Sequence, residues 1–241
     1  VLQEYAQSRI GEGADDLVGL VRMPGRLNVM GRHVDHQGGN CNLMTISFET
    51  IMLLHPRQDD CVSLRHCDAA RFAATKFSIS ELLAELPWED WNSVVSSEAL
   101  MQRFKEYGVD WSEYVKAAVL RLQKKFATEP LRGMDLVVAG NIPMAAGLSS
   151  SSSLIVGAAE AAVAVNALPT FPAQLVTLCG EGEWFVGTRG GNADHAAVKM
   201  GSQGSVVKVK FFPFAVEESV VFPASHVMLV CDSGIKARKS S

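Results

Sequence analysis

Runs of apolar and β-branched residues, separated by glycine, proline and polar stretches, predict a mixture of strands and amphipathic helices. Strands are predicted at Leu17–Arg22, Leu43–Leu54, Val62–Arg65, Ala74–Phe77, Leu136–Ala139, Val206–Phe212 and Val227–Cys231. Helices are predicted at Leu2–Ile10, Ser80–Leu86, Leu154–Ala167, Ala173–Gly180 and Asp194–Met200, and from a capping-box-like start at Asp110 and Glu113 through Phe126. Because strands and helices do not alternate regularly, the pattern indicates the α+β class.

A glycine- and serine-rich loop joins a predicted strand to a predicted helix. Residues Pro143–Ser153 read PMAAGLSSSSS and run into an apolar, alanine-rich segment. The N-terminus of a helix presents free N–H groups and the positive end of the helix dipole, so it favours an anion such as a polyphosphate. Serine hydroxyls can also bond phosphate oxygens or ligate Mg²⁺. A Ser-rich surface linker is the alternative, and no Gly-Lys-Ser/Thr sequence closes the loop as in a Walker A motif.

Two further segments concentrate charged residues between glycines. Pro24–Asn40 reads PGRLNVMGRHVDHQGGN and is predicted to be largely a loop after the first strand. Its carboxylate and imidazole groups suit a polyhydroxyl ligand, although a solvated loop would have a similar composition. In Glu183–Lys199, EWFVGTRGGNADHAAVK, paired glycines allow the backbone to approach a ligand closely. Asp194 begins the next predicted helix, where it could also be an ordinary helix cap.

Composition narrows the possible functions. The 241 residues carry a net charge of −4 and no long basic block, which argues against sequence-independent nucleic-acid binding. No apolar run reaches membrane-spanning length, so a membrane partner is not expected. The five cysteines form no C-x-x-C pair, which predicts reduced thiols and a cytoplasmic protein. We interpret the adjacent His66 and Cys67 as a coincidence and not as a metal site.

Together the three segments resemble the GHMP kinase superfamily, and most closely its galactokinase branch. GRLNVMGRHVDHQGG is similar to the sugar-binding signature G-R-x-N-L-I-G-E-H-x-D-Y-x-G-G, and PMAAGLSSSSS to the phosphate loop P-x-x-x-G-L-x-S-S. GTRGGNADH stands where the family carries its catalytic aspartate. The resemblance implies a two-domain α+β kinase with a left-handed β-α-β crossover in the N-terminal domain, against the usual rule, and a ferredoxin-like C-terminal domain.

The resemblance also implies a role for each matching residue. Asp194 would be the catalytic carboxylate beside the accepting hydroxyl, with Arg26 across it. Ser150 and Glu183 would ligate Mg²⁺. The β- and γ-phosphates of ATP would lie against Gly147, Leu148, Ser149, Ser150, Ser151 and Ser152. The sugar would contact Arg32, His33, Asp35 and Gly191.

Two residues depart from the family signature. The glutamate before the histidine is Arg32, and the tyrosine after the aspartate is His36. A guanidinium cannot accept a hydrogen bond but suits a carboxylate, so an acidic sugar such as galacturonate becomes a candidate substrate. Plant galacturonokinases resemble this chain in the run H-[IV]-D-H-Q-G-G. Alternatively, Arg32 faces solvent or pairs with a carboxylate of the protein.

Nothing in the chain matches the third glycine-rich motif of the family. We therefore expect residues 1–215 to form the ATP- and sugar-binding domain, and residues 216–241 to begin a C-terminal domain that is mostly missing. The expected function is an ATP- and Mg²⁺-dependent kinase acting on the anomeric hydroxyl of galactose or a related monosaccharide. A galacturonate kinase, a mevalonate-like kinase, a non-catalytic sugar sensor and an inactive fragment are the alternatives.

Overall fold

One long strand organises the fold. The computed structural model of the chain describes residues 18–231 and Gly234, so the helix predicted at Leu2–Ile10 lies outside the described residues. Strand β2 (Cys41–Pro56) is rich in β-branched and apolar residues and pairs along most of its length with β1 (Gly19–Met30). Its other edge pairs with a second strand near its start and a third near its end. Segments far apart in the sequence are thereby brought together along one strand.

Within the described residues the sheet has seven strands and is almost entirely antiparallel. The remaining strands are β3 (Cys61–His66), β4 (Thr75–Ser78), β5 (Met134–Gly140), β6 (Ser205–Phe211) and β7 (Phe214–Val221). The order is β4-β3-β5-β2-β6-β7, with β1 on the free edge of β2. Only β3 and β5 run parallel, and the chain between them contains β4 and four helices. The left-handed crossover stays a prediction.

Seven α-helices complete the described chain. They are α1 (Ile79–Glu85), α2 (Trp91–Val95), α3 (Glu98–Tyr107), α4 (Trp111–Phe126), α5 (Ser150–Asn166), α6 (Pro172–Gly182) and α7 (Ala193–Met200), with short 3₁₀ helices at Asp35–Gln37 and Glu183–Val186. The main core joins β2, β3 and β5 to α4, α5 and α6, for example through Met52, Leu136 and Ile155, all fully buried. A second, smaller core joins β6 to α7. Burial of these apolar faces, at roughly 25 cal/mol per Å², holds the helices against the sheet.

Several predicted boundaries are wrong. Strand β1 continues to Met30, through half of the predicted loop, because β2 provides a partner and two register shifts absorb its irregularities. Helix α5 begins at Ser150, so four of the five serines are helical. The predicted strand Val227–Cys231 does not form: no strand pairs with it among the described residues, and the Leu229 side chain is 80% exposed. The predicted domain boundary after residue 215 stays a prediction, although β7 continues the sheet across it.

Candidate active site

Three side chains from distant parts of the sequence meet at the start of α5. The Arg26 guanidinium donates from Nε to Asp194 Oδ1 at 2.7 Å, and its Nη2 lies 2.6 Å from the same oxygen. The Ser149 hydroxyl donates to Asp194 Oδ2 at 2.7 Å. Asn192, and not Asp194, occupies the N-cap position of α7. Asp194 therefore acts across the site and does not cap its own helix, which excludes the helix-cap alternative.

The surroundings of Asp194 favour its ionised form. Burial by itself raises the pKa of this carboxyl, but the Arg26 charge and the hydrogen bonds from Ser149 and Arg26 outweigh burial. The pKa therefore lies below its ordinary value. About a third of the Asp194 side chain remains accessible, while only 13% of the Arg26 side chain is exposed. The site presents an ionised carboxylate backed by a largely buried cation.

Arg26 also holds the loop that precedes α5. Its Nη1 donates to the Gly147 carbonyl at 2.6 Å, and its backbone N–H donates to the Leu148 carbonyl at 3.1 Å. Gly147 and Ser149 both have positive φ, so the chain turns sharply into the helix. The first N–H groups of α5 have no intrahelical acceptor. Strand β1 therefore supports a turn whose free N–H groups form an anion site at the N-terminus of a 17-residue helix.

Glu183 lies behind this turn. Its Oε1 accepts a long hydrogen bond of 3.4 Å from Ser152, whose hydroxyl is buried and does not face the solvent. Its Oε2 is 3.6 Å from Nε2 of His195, a buried imidazole with no hydrogen bond to either ring nitrogen. Ser150 is half-buried. Within the described residues no group of three or more His, Cys, Asp or Glu side chains could hold a metal, so a cation here would have few protein ligands.

The polar loop after β1 is hydrogen-bonded to the start of α7, the helix that contains Asp194. Asp35 is 7% exposed, and its Oδ2 accepts from the Ala193 N–H at the start of α7 at 3.1 Å. A Cβ atom at Gly191 would overlap the Asp35 carboxylate, so only glycine fits there. Arg32 and His33 are exposed. Among the described residues Arg32 meets no carboxylate, which leaves its guanidinium free.

A cavity of about 670 Å³ lies beside the N-terminus of α5. Ser150 and Ser151, the first two residues of α5, line it. Its wall contains rings from three separate segments, His66, Phe72, Trp111 and Tyr114. Sequence analysis missed this cavity and interpreted His66 only as a chance neighbour of Cys67. The ring residues at the end of β3, in the loop after it and in the first turn of α4 are the signal that could have indicated it.

The structure thus gathers most of the residues predicted from sequence. Arg26, Ser149 and Asp194 are in direct contact, and Asp35 and Gly191 lie against the same helix, α7. Ser152 points into the protein and binds Glu183. The assigned roles themselves stay predictions. Among the described residues no helix is long and apolar enough to cross a membrane.

Two family models and a curated relative match the sequence of this chain. The family model for the GHMP kinases N terminal domain matches residues 113–202, and the galactokinase galactose-binding signature matches residues 7–56. A galactokinase from Candida parapsilosis is 23% identical over 232 residues, which is 92% of this chain but 41% of that protein. The chain therefore spans less than half the length of this curated relative.

Solved structures share the fold. The structure of Lactococcus lactis galactokinase complexed with galactose matches with a TM-score of 0.71 at 23% identity, over 92% of this chain and 52% of that one. Methanococcus jannaschii mevalonate kinase matches with a TM-score of 0.60 at 16% identity, over 85% of this chain and 56% of the other. Arg26 lies in the match to the galactose-binding signature, and Asp194 lies in the match to the GHMP kinases N terminal domain. The chain therefore carries a match to the GHMP kinases N terminal domain together with the galactokinase galactose-binding signature, and its relatives support the galactokinase-like branch.

Proposed function

We propose that this chain forms the ATP- and sugar-binding part of a kinase that phosphorylates the anomeric hydroxyl of galactose or a related monosaccharide. The observation that carries the proposal is the Asp194 carboxylate, held by Arg26 and Ser149 at the N-terminus of α5. Membership of the kinase family implies ATP as the phosphoryl donor. ATP and free sugars meet in the cytoplasm, which is the compartment we propose.

The nucleotide would span the cavity and the turn before α5. Flat aromatic faces in the cavity suit a purine base, and the rim residues Ser150 and Ser151 lead directly to the helix N-terminus. Free N–H groups from Gly147 to Ser152 would carry the charge of the β- and γ-phosphates. The γ-phosphate would then lie close to Ser149, and Ser149 contacts Asp194.

Asp194 would orient the sugar hydroxyl and receive its proton. A carboxylate with a lowered pKa is a weak base, but phosphoryl transfer has a loose transition state that needs little activation of the nucleophile. Holding the hydroxyl in line with the γ-phosphate contributes more to the rate than basicity does. Arg26 would offset negative charge on Asp194 and on the transferring group.

The sugar would lie against the loop after β1. Asp35 and His33 would meet its hydroxyls, and the bare backbone at Gly191 leaves room for the Asp35 carboxylate itself. Asp35 already binds a backbone N–H at the start of α7, the helix that carries Asp194. A sugar bound through Asp35 would therefore be fixed relative to Asp194, which the match to the galactose-binding signature supports.

The oxygen donors near the α5 N-terminus fit Mg²⁺. Glu183 offers a hard carboxylate that protein hydrogen bonds hold only at 3.4 Å or more, and Ser150 a half-buried hydroxyl. Magnesium prefers a few such protein ligands together with phosphate oxygens and water. Ser150 and Glu183 would hold the ion, which would supply charge neutralisation for the phosphates.

A phosphorylation screen of the purified full-length protein tests the proposal. Neutral sugars, galacturonate and mevalonate are incubated with ATP and Mg²⁺, and ADP release and sugar 1-phosphate are measured together. We expect the highest kcat/KM with galactose or a closely related neutral sugar. The proposal is refuted if no monosaccharide stimulates ADP release, or if the product is phosphorylated at a position other than C1.

A further inference from the structure

The cavity beside α5 contains one imidazole packed in a cluster with two larger rings that also contact each other. The His66 ring centroid lies 4.2 Å from that of Phe72 and 5.7 Å from that of Trp111. His66 ends β3, Phe72 lies in the following loop and Trp111 begins α4. All three line the cavity. Their packing fixes the plane of the imidazole.

A backbone hydrogen bond fixes which nitrogen of His66 carries the proton. Nδ1 accepts from the Asp68 N–H at 2.9 Å, and a nitrogen that accepts cannot itself hold hydrogen. Burial lowers the pKa of His66 below its ordinary value, although the Asp68 carboxylate partly opposes this, so the ring is neutral near pH 7. The single ring proton is therefore on Nε2.

This Nε2–H group has no acceptor within the described part of the chain. Since Nε2 has no partner there and is not buried, it remains reachable, and His66 lines the cavity. The His66 side chain thus presents a hydrogen-bond donor, and not an acceptor, beside two aromatic rings. A ligand group that matches it must accept a hydrogen bond and lie in a flat, apolar setting.

We propose that His66 donates its Nε2–H to a ring nitrogen of the purine base of ATP and so contributes to nucleotide selection. The inference rests on the proposed function, which brings ATP to this cavity. The phosphates belong at the α5 N-terminus, where free N–H groups and the helix dipole lie, so the base is the part left for the ring-lined wall. A purine offers ring nitrogens as acceptors at N1, N3 and N7. The imidazole packs against Phe72 and Trp111, and its Nε2–H group donates to one of these purine atoms.

The test measures binding, by calorimetry, of a non-hydrolysable ATP analogue and of its 1-deaza, 3-deaza and 7-deaza forms. Wild type is compared with His66→Phe, which keeps the ring contacts and removes the donor. We expect His66→Phe to weaken binding of the parent analogue about two- to tenfold, as for one net hydrogen bond. One deaza form should lose the same factor with wild type and be unaffected by the substitution. His226→Phe, at an exposed histidine outside the cavity, is the matched control and should change nothing.

Several results would overturn the inference. Equal affinity of wild type and His66→Phe for the parent analogue refutes it, and so does an equal loss for all four nucleotides, which indicates a packing role. If His66→Phe does not fold, the deaza series with wild type still decides, because full retention of affinity by all three forms refutes the contact. Failure of wild type to bind any of the nucleotides refutes the proposed function itself.

Discussion

Replacing Asp194 with asparagine removes the negative charge and keeps the shape of the side chain. An amide can still accept from Arg26, but it takes up no proton near neutral pH. We expect kcat to fall by about 10²–10⁴-fold, the usual effect of losing a positioned acid–base group. Affinities for ATP and sugar should stay close to those of wild type, because the phosphate turn and the Asp35 loop are untouched.

The same substitution has a calculable effect on stability. Asp194 accepts charge-assisted hydrogen bonds from Arg26 and one from Ser149. Such a bond is worth about 1.5–3 kcal/mol, and screening at a side chain that is one-third exposed reduces this to about 1–2 kcal/mol. For a chain of this size, we expect Tm to fall by about 2–8 °C. The protein should remain folded at 25 °C, so the loss of turnover can be measured.

The assay compares single-turnover rates, ligand affinities and thermal unfolding of Asp194→Asn with those of Asp59→Asn. Asp59 forms the same kind of pair with Arg57, at 2.6 Å, outside the site. The Asp59 variant should lose stability and keep full turnover. Near-normal turnover of Asp194→Asn would refute the catalytic assignment. A folded Asp194 variant that binds neither ligand would mean that the carboxylate only holds the site together.

Three further predictions concern the metal, the substrate and pH. Ser150→Ala and Glu183→Gln should each raise the Mg²⁺ concentration required for half-maximal rate, and an unchanged requirement in both variants would contradict the site. Arg32→Glu should shift the ratio of kcat/KM for galactose over galacturonate toward galactose by about one to two orders of magnitude; an unchanged ratio would mean that residue 32 does not contact the sugar. Because the pKa of Asp194 is lowered on folding, its contribution to the free energy of unfolding is complete above the unfolded pKa of about 3.9 and is lost as pH falls through the folded pKa. The difference in unfolding free energy between wild type and Asp194→Asn, measured in urea, should therefore shrink below about pH 4, and a constant difference would contradict the assigned shift.

Local features of the fold could be predicted from sequence because their signals are local. The β-branched run of β5, the Gly/Ser turn and the apolar helix α5 follow each other directly, so their order could be inferred correctly. The start of α4 was also correct: Asp110 caps the helix at Ser112. Glu113 was not part of a capping box, because it is buried and binds Lys116 and Arg103 instead.

Features that depend on distant partners could not be predicted in this way. The segment FAVEESVV, which contains two glutamates and was not predicted as a strand, forms β7 because β6 presents a free edge after a short turn. The more apolar run Val227–Cys231 remains without strand structure because the described sheet offers it no partner. The contact between Arg26 and Asp194, 168 residues apart, was expected from family resemblance and not from any local pattern. The cavity wall, assembled from segments that are far apart in the sequence, was missed for the same reason.

The hydrogen bond from Ser149 to Asp194 bears on what happens while no sugar is bound. Ser149 occupies Oδ2 and Arg26 occupies Oδ1, so both carboxylate oxygens already have donors. A water molecule beside ATP would share these oxygens with Ser149 and Arg26, and it has no other contacts with which to displace the serine. A sugar held through Asp35 and its neighbours has that binding energy available. Under the proposed function, the Ser149 hydroxyl would therefore compete with water for Asp194, and a bound sugar would be the ligand able to displace it.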